Sequence, residues 1–219
     1  YGIEDALSID EAIKIISSSC RYGSYNFNFL QPDDRFNPRT NLVLPLGVDI
    51  NTLNLNLTPD ARRIVQHTLN SAMQYEHGDI DEAVSMYRSL CEPSLKISAA
   101  QYDSFTSLSK ALKQNGCVEV RRVKDVQGNT LSIVLLLKFN NRLTNIINAT
   151  TDAGRKLNSN YLLYYSVFDE FAGSGYLFDF EGSEHPGIQR FYRQFTKSNQ
   201  PYYRYHLNNL PLFIRLLKK

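Results

Sequence analysis

Hydrophobic spacing along the chain switches between two periods. Ser24 to Leu30 alternates Tyr25, Phe27 and Phe29 with Ser24, Asn26 and Asn28, which predicts a strand with an aromatic inner face. Ahead of it, Ser8 and Glu11 stand three apart as a capping box. They predict a helix from Ile9 to about Cys20 that buries Ile13, Ile16 and Ala12. Gln31 to Arg39 reads as a loop, and Thr40 to Leu46 as a second strand that Pro45 confines to an edge or an end. Leu53 to Leu57 alternates leucine with asparagine and suits a short strand or a loop. Thr58-Pro59 then opens a helix to about Tyr75, with Ile64, Val65, Leu69 and Ala72 inward.

The second half is more regular. Asp79 and Glu82 cap a helix to about Cys91, closed by Pro93. Ser98 and Gln101 box the start of another through Lys113, with Tyr102, Phe105, Leu108 and Leu112 inward and Gly116 as its left-handed stop. Three strands follow: Cys117 to Lys124, Thr130 to Phe139 and Leu143 to Thr150, joined at Asp125–Asn129 and at Asn140-Asn141. Leu131 to Leu137 is almost wholly apolar, as a central strand should be. Tyr161 to Ala172 is an aromatic helix, and Tyr176 to Phe178 a short strand. Asp179 and Glu181 follow on one face. Ser183 is placed to cap and Pro186 to begin a helix with Ile188, Phe191, Tyr192 and Phe195 at i, i+3, i+4 and i+7. The order of elements gives an α+β or mixed α/β fold.

Composition narrows the classes. With 219 residues, 42% hydrophobic and 21% charged, the chain can fill one large core or two small ones. A net charge of +2 gives no global pull toward nucleic acid or anionic lipid. Cys20, Cys91 and Cys117 are widely spaced, with no Cys/His cluster, so neither a metal site nor a disulfide framework is expected and a cytoplasmic setting is the simpler one. No apolar run approaches the roughly 18 residues of a membrane span.

Asp179 to Phe195 reads DFEGS-x-x-PGI-x-RFYR-x-F, followed by PYYRY at 201–205 and NNLP at 208–211. This pattern resembles bacterial GNAT-fold proteins related to the FemAB acyltransferases. The resemblance implies a GNAT (acyl-CoA N-acyltransferase) fold. It implies a complete GNAT-like domain over 76–219, preceded over 1–75 by a partial one and a linking helix. An incomplete first domain would leave a sheet edge for a partner, hence a homo-oligomer. Relatives carry a basic cluster where this chain has Arg62-Arg63-Ile64-Val65-Gln66-His67, and the missing lysines favour a solvated helix face there.

The resemblance also implies site residues. In GNAT enzymes the loop after the fourth strand cradles the pyrophosphate of CoA on backbone N–H groups and a helix N-terminus. The matching stretch is Thr151 to Asn160, with Gly154, Arg155, Lys156, Asn158 and Ser159 as binding residues. Lys156 stands where a second small residue is usual, and a helix-capping loop with surface cations is the competing reading. Glu181 or Asp179 would serve as general base toward an amine. Against this, Glu181 could cap the next helix, and Asp179 could pair with Arg193 or Arg204. Tyr203 would protonate a leaving thiolate. The leading function is an N-acyltransferase acting on a small-molecule or peptide amine, with acyl-CoA such as acetyl-CoA, or aminoacyl-tRNA, as donor. A catalytically silent binding or scaffolding module is the alternative.

Overall fold

The computed structural model describes residues 8–28, 33–91, 97–182 and 184–217. In chain order the elements are α1 (Ile9–Ser19), β1 (Tyr22–Phe27), β2 (Phe36–Arg39), β3 (Val43–Pro45), α2 (Ile50–Asn56), α3 (Pro59–Leu69), β4 (Gln74–His77), α4 (Ile80–Cys91) and α5 (Ala99–Gln114). They continue as β5 (Val118–Lys124), β6 (Thr130–Phe139), β7 (Arg142–Thr150), α6 (Asp152–Lys156), α7 (Ser159–Phe171), β8 (Leu177–Asp179), α8 (Pro186–Tyr192), β9 (Tyr202–Asn208) and α9 (Leu212–Leu217). Two compact units result: Tyr1–Thr40 with Pro201–Lys219, and Asn41–Gln200. These are units of packing. The boundary expected at 75/76 falls inside β4.

The smaller unit is a three-stranded antiparallel sheet in the order β1-β9-β2. The Ser8–Glu11 capping box forms as expected, and β1 keeps its period of two. β2 lies inside the stretch read as a loop. Phe36 accounts for it: the ring is buried, 5.6 Å from Phe27 and 5.5 Å from Tyr205, so burial overrides the local turn signals.

The larger unit is a six-stranded mixed sheet in the order β3-β8-β7-β6-β5-β4. All neighbours are antiparallel except β7 and β8, which run parallel. β6 is a central strand buried on both faces. Val134 and Leu136 join α2, α3 and α7 in one core, while Ile133 and Leu135 join α4 and α5 in another. Pro45 does sit in an edge strand, β3. The Schellman stop at Gly116 is present: its φ is 68°, its N–H reaches Lys113 O, and that of Cys117 reaches Leu112 O.

Three further expectations fail. Leu53–Leu57 belongs to a helix, α2: Asp49 Oδ1 accepts the Asn51 and Thr52 N–H groups, and Leu53 and Leu57, four apart, are both buried. α3 stops at Leu69 instead of reaching Tyr75, because residues 74–77 pair with β5, where Tyr75 packs on the core. That leaves Leu69 and Ala72 outside. Leu108 of α5 is 57% exposed, and Ser109 is the buried neighbour. Arg62 is tied to α2 through Asn54 O at 3.0 Å, and Arg63 is solvated. Pro93 as a helix stop and Ser183 as a cap lie outside the described residues.

The parallel pair creates the site. β7 and β8 are in register only over Arg142–Thr144 and Leu177–Asp179. Beyond them β7 continues to Thr150 while β8 ends. A gap therefore opens beside residues 145–150.

Candidate active site

The first wall of the gap is the segment after β7. Thr151 caps α6, its Oγ1 accepting the Gly154 N–H at 2.9 Å. Its own N–H donates to Leu131 O at 2.9 Å. Gly154 is pressed against β6: a Cβ there would stand 2.3 Å from Leu131 O and 2.7 Å from Ser159 Oγ. The stretch expected as an open loop is thus a short helix. The Arg155, Leu157 and Asn158 amides donate to Thr151 O, Ala153 O and Arg155 O. The first-turn amides of α7, at Ser159 and Asn160, are the ones helix geometry leaves without an intrahelical acceptor. Asn158 precedes them in a left-handed conformation, φ 57°, with no side-chain cap bond.

A pocket of about 290 Å³ adjoins this wall, lined by Gly154, Arg155, Asn158, Asn160, Thr150 and residues of β7, α4 and α8. Arg155 reaches Asp152 Oδ1 at 2.6 Å and is exposed. Of the other expected binding residues, Lys156 is exposed and not on the wall, and Ser159 is fully buried. Thr150 Oγ1 and Ser159 Oγ are buried with no hydrogen-bond partner.

The second wall is the acidic loop. Asp179 is 3% exposed and paired to Arg142 Nη1 at 2.7 Å, not to Arg193 or Arg204. Arg142 also donates to Gln200. The other Asp179 oxygen accepts the Glu181 N–H at 3.0 Å. That turn holds Glu181 at φ 48° and Gly182 at φ 59°. A positive φ costs a non-glycine residue about 1 kcal/mol or more. Glu181 is exposed as a residue, but partial burial of its carboxyl, then the charge of Asp179, raises its pKa above the ordinary value.

A second pocket, about 540 Å³, is lined by Glu181, Gly182, Phe180, Asn145, Ile146, Tyr87 and the face of α8 from Gly187 to Tyr192. The two pockets share Asn148, Asn160 and Phe191. The Asn148 and Asn160 amides exchange hydrogen bonds of 3.3 and 3.4 Å at this junction. Arg155 therefore stands on one side of a continuous groove and Glu181 on the other.

The floor of the second pocket is a buried polar cluster. Asn145 Nδ2 lies 2.8 Å from Tyr164 Oη and 3.3 Å from both Phe180 O and Tyr192 Oη, and the two hydroxyls are 3.4 Å apart. Burial, joined by the charge of Glu181, pushes the Tyr192 hydroxyl up, and burial pushes that of Tyr164 up further. The register skips Ile146, a β-bulge that turns this residue to the pocket, 40% exposed.

The groove thus gathers Glu181, Gly154, Arg155 and Asn158, with Asp179 directly behind Glu181. Tyr203 is a residue of the other unit, opposite Phe27 and Pro38 in its sheet. Sequence reasoning missed Tyr192, Asn145 and the bulge. Tyr192 was legible only as an apolar-stripe position, and a buried asparagine in a strand was the one available signal for Asn145. Ile188, expected in the core, is 41% exposed on the pocket wall. His185 is exposed at the start of α8. Among the described residues no cluster of His, Cys, Asp and Glu could hold a metal. No described helix is long and apolar enough to cross a membrane.

No family model matches the sequence, and no curated protein matches it. Solved structures do. FemX superposes with a TM-score of 0.63 at 14% identity, over 97% of this chain and 73% of that one. The C-terminal domain of a putative lysylphosphatidylglycerol synthetase from Agrobacterium fabrum gives 0.59 at 12% identity, over 95% and 75%. L-PGS from Bacillus licheniformis gives 0.51 at 10%, over 94% and 68%. Identities this low speak to architecture alone: the chain has a mixed α/β, GNAT-like fold, similar to that of FemX.

Proposed function

We propose that this protein is an acyltransferase that moves an acyl or aminoacyl group from an activated donor to an amine. One observation carries the reading: the groove has a cation and a helix start at one end and a carboxylate of raised pKa at the other. Donor and acceptor need that separation. Arg155, the α7 amides and the orphaned Thr150 hydroxyl fit an anionic donor group, as in acyl-CoA. Such a donor supplies an activated carbonyl. The engaged amides of α6 fit it less well, so the weight falls on α7 and Asn158, with Gly154 keeping α6 close and Ser159 and Lys156 secondary.

Glu181 accepts the proton of the incoming ammonium, and its upward-shifted pKa, from burial and the charge of Asp179, makes it a stronger base than an ordinary carboxylate. Asp179, held by Arg142, orients the turn that carries Glu181. The Tyr192 hydroxyl, neutral at working pH and in the same unit as Glu181, takes the proton-donating role that the resemblance offered to Tyr203. An aminoacyl-tRNA donor and a homo-oligomer are compatible with this arrangement but have no separate support in it.

The test is transfer from a panel of acyl-CoAs to a mixed amine pool, read by mass spectrometry, alongside thermal shifts with each donor. Donor binding to the native state raises the midpoint by mass action. A flat response to every acyl-CoA removes CoA as donor. Unaltered turnover in Glu181→Gln removes Glu181 as the base, whereas no turnover with any donor and amine favours a silent binding module.

A further inference from the structure

Resting on that reading, the second pocket carries information about the acceptor. Tyr87, Ile146, Phe180, Ile188 and Phe191 give it a mainly apolar and aromatic wall, Asn145, Asn148, Asn160 and Tyr192 add neutral polar groups, and Glu181 is its one carboxylate. No lysine or arginine lines it among the described residues. Asp179, the nearest further acid on the same loop, is committed to Arg142.

Two of these side chains are held at the pocket against the usual preference for burial. Ile146 is the bulge residue of β7, 40% exposed. Ile188, at a core-facing position by helical spacing, is 41% exposed. They line the pocket from two different elements, one strand and one helix. An apolar group entering between them would cover both. Apolar ligand pockets with few polar groups bind by that burial and use the polar groups for orientation.

We infer that the acceptor is a monoamine with an apolar or aromatic body, bound with its ammonium at Glu181 and its body between Ile146 and Ile188. A polyamine fits poorly: beyond Glu181 the lining offers only neutral polar groups, Asn145, Asn148, Asn160 and Tyr192, with no second carboxylate to pair a further ammonium, and a charge without its counter-ion is costly to desolvate. An amino acid fits poorly too, since its carboxylate would face Glu181.

Calorimetric titration without donor tests this, using 2-phenylethylamine, 2-phenylethanol and spermidine as probes. The aromatic amine is expected to bind at least about ten-fold more tightly than either other probe. Glu181→Gln should erase its advantage over the alcohol, and Ile188→Ser should weaken it about three- to ten-fold. Spermidine binding as tightly, an unchanged affinity in Ile188→Ser, or no binding of the aromatic amine would each overturn the inference. Failure here leaves the transferase reading standing if another amine is acylated. Binding of the aromatic amine with no acylation of any amine would instead sink the transferase reading alone.

Discussion

The guanidinium of Arg142, at the first residue of β7, donates to the buried carboxylate of Asp179, at the last residue of β8, across 2.7 Å. The bond spans the only parallel pair of the larger sheet, just before the two strands part. It fixes the point where the groove begins, and through the Asp179–Glu181 turn it fixes the acid on the groove's wall.

Removing one partner should therefore cost more than an ordinary surface ion pair. Arg142→Ala leaves a buried carboxylate uncompensated, and a loss of about 2–4 kcal/mol is expected in urea unfolding. Asp179→Asn keeps shape and one acceptor, and should cost less. Equal, negligible losses would show the pair to be ornamental.

Gly154→Ala should destabilise by about 1–3 kcal/mol, since the new methyl meets the Leu131 carbonyl, which belongs to a central strand and cannot move cheaply. Thermal unfolding reads this directly. A midpoint within a degree of the parent's would mean that α6 shifts freely.

Glu181 gives opposite signs for stability and activity. Its carboxyl is raised in the folded state, so the contribution is most favourable below the unfolded value and is lost as pH rises through the folded one. Glu181→Gln should be at least as stable as the parent at pH 7, with the gain absent at pH 4. Glu181→Gly should relieve the positive φ and add up to about 1 kcal/mol. Both should lower turnover about 10²- to 10⁴-fold. The acid limb of kcat/KM should lie above the usual carboxylate range.

Glu170 runs the other way. Burial would raise its pKa, but hydrogen bonds from Arg121 and Tyr75 outweigh that and hold it low. Its stabilisation is present above the unfolded value and lost as pH falls through the folded one. Arg121→Met should flatten this acid-side loss in a pH series of urea midpoints, and an unchanged slope would place the acid sensitivity elsewhere.

Tyr192→Phe removes a hydroxyl but keeps the ring in the core, so a stability change within about 1.5 kcal/mol is expected. Turnover should fall at least ten-fold if this hydroxyl donates the proton, whereas Tyr203→Phe should retain near-parental turnover. The reverse ranking would return the role to Tyr203.

The sequence by itself determined the elements whose signals are local. Both capping boxes, the Gly116 stop, the two hairpins, the apolar central strand and the period of β1 are written within a few residues of where they act. The strand–loop–helix from Tyr176 to Phe195 and the mixed α/β class also follow from chain order. Tertiary structure alone decided the rest. β2 and β4 exist because Phe36 and Tyr75 find buried surroundings from distant segments, which no local window contains. The partner of Asp179 is 37 residues away, on a strand whose parallel alignment with β8 is a property of the sheet. Asn145, Tyr192 and Ile188 carry periodic signals of core positions. They became a pocket floor and wall because β7 and β8 diverge there, and divergence of two strands is set by the twist and packing of the whole sheet rather than by the residues that line the gap.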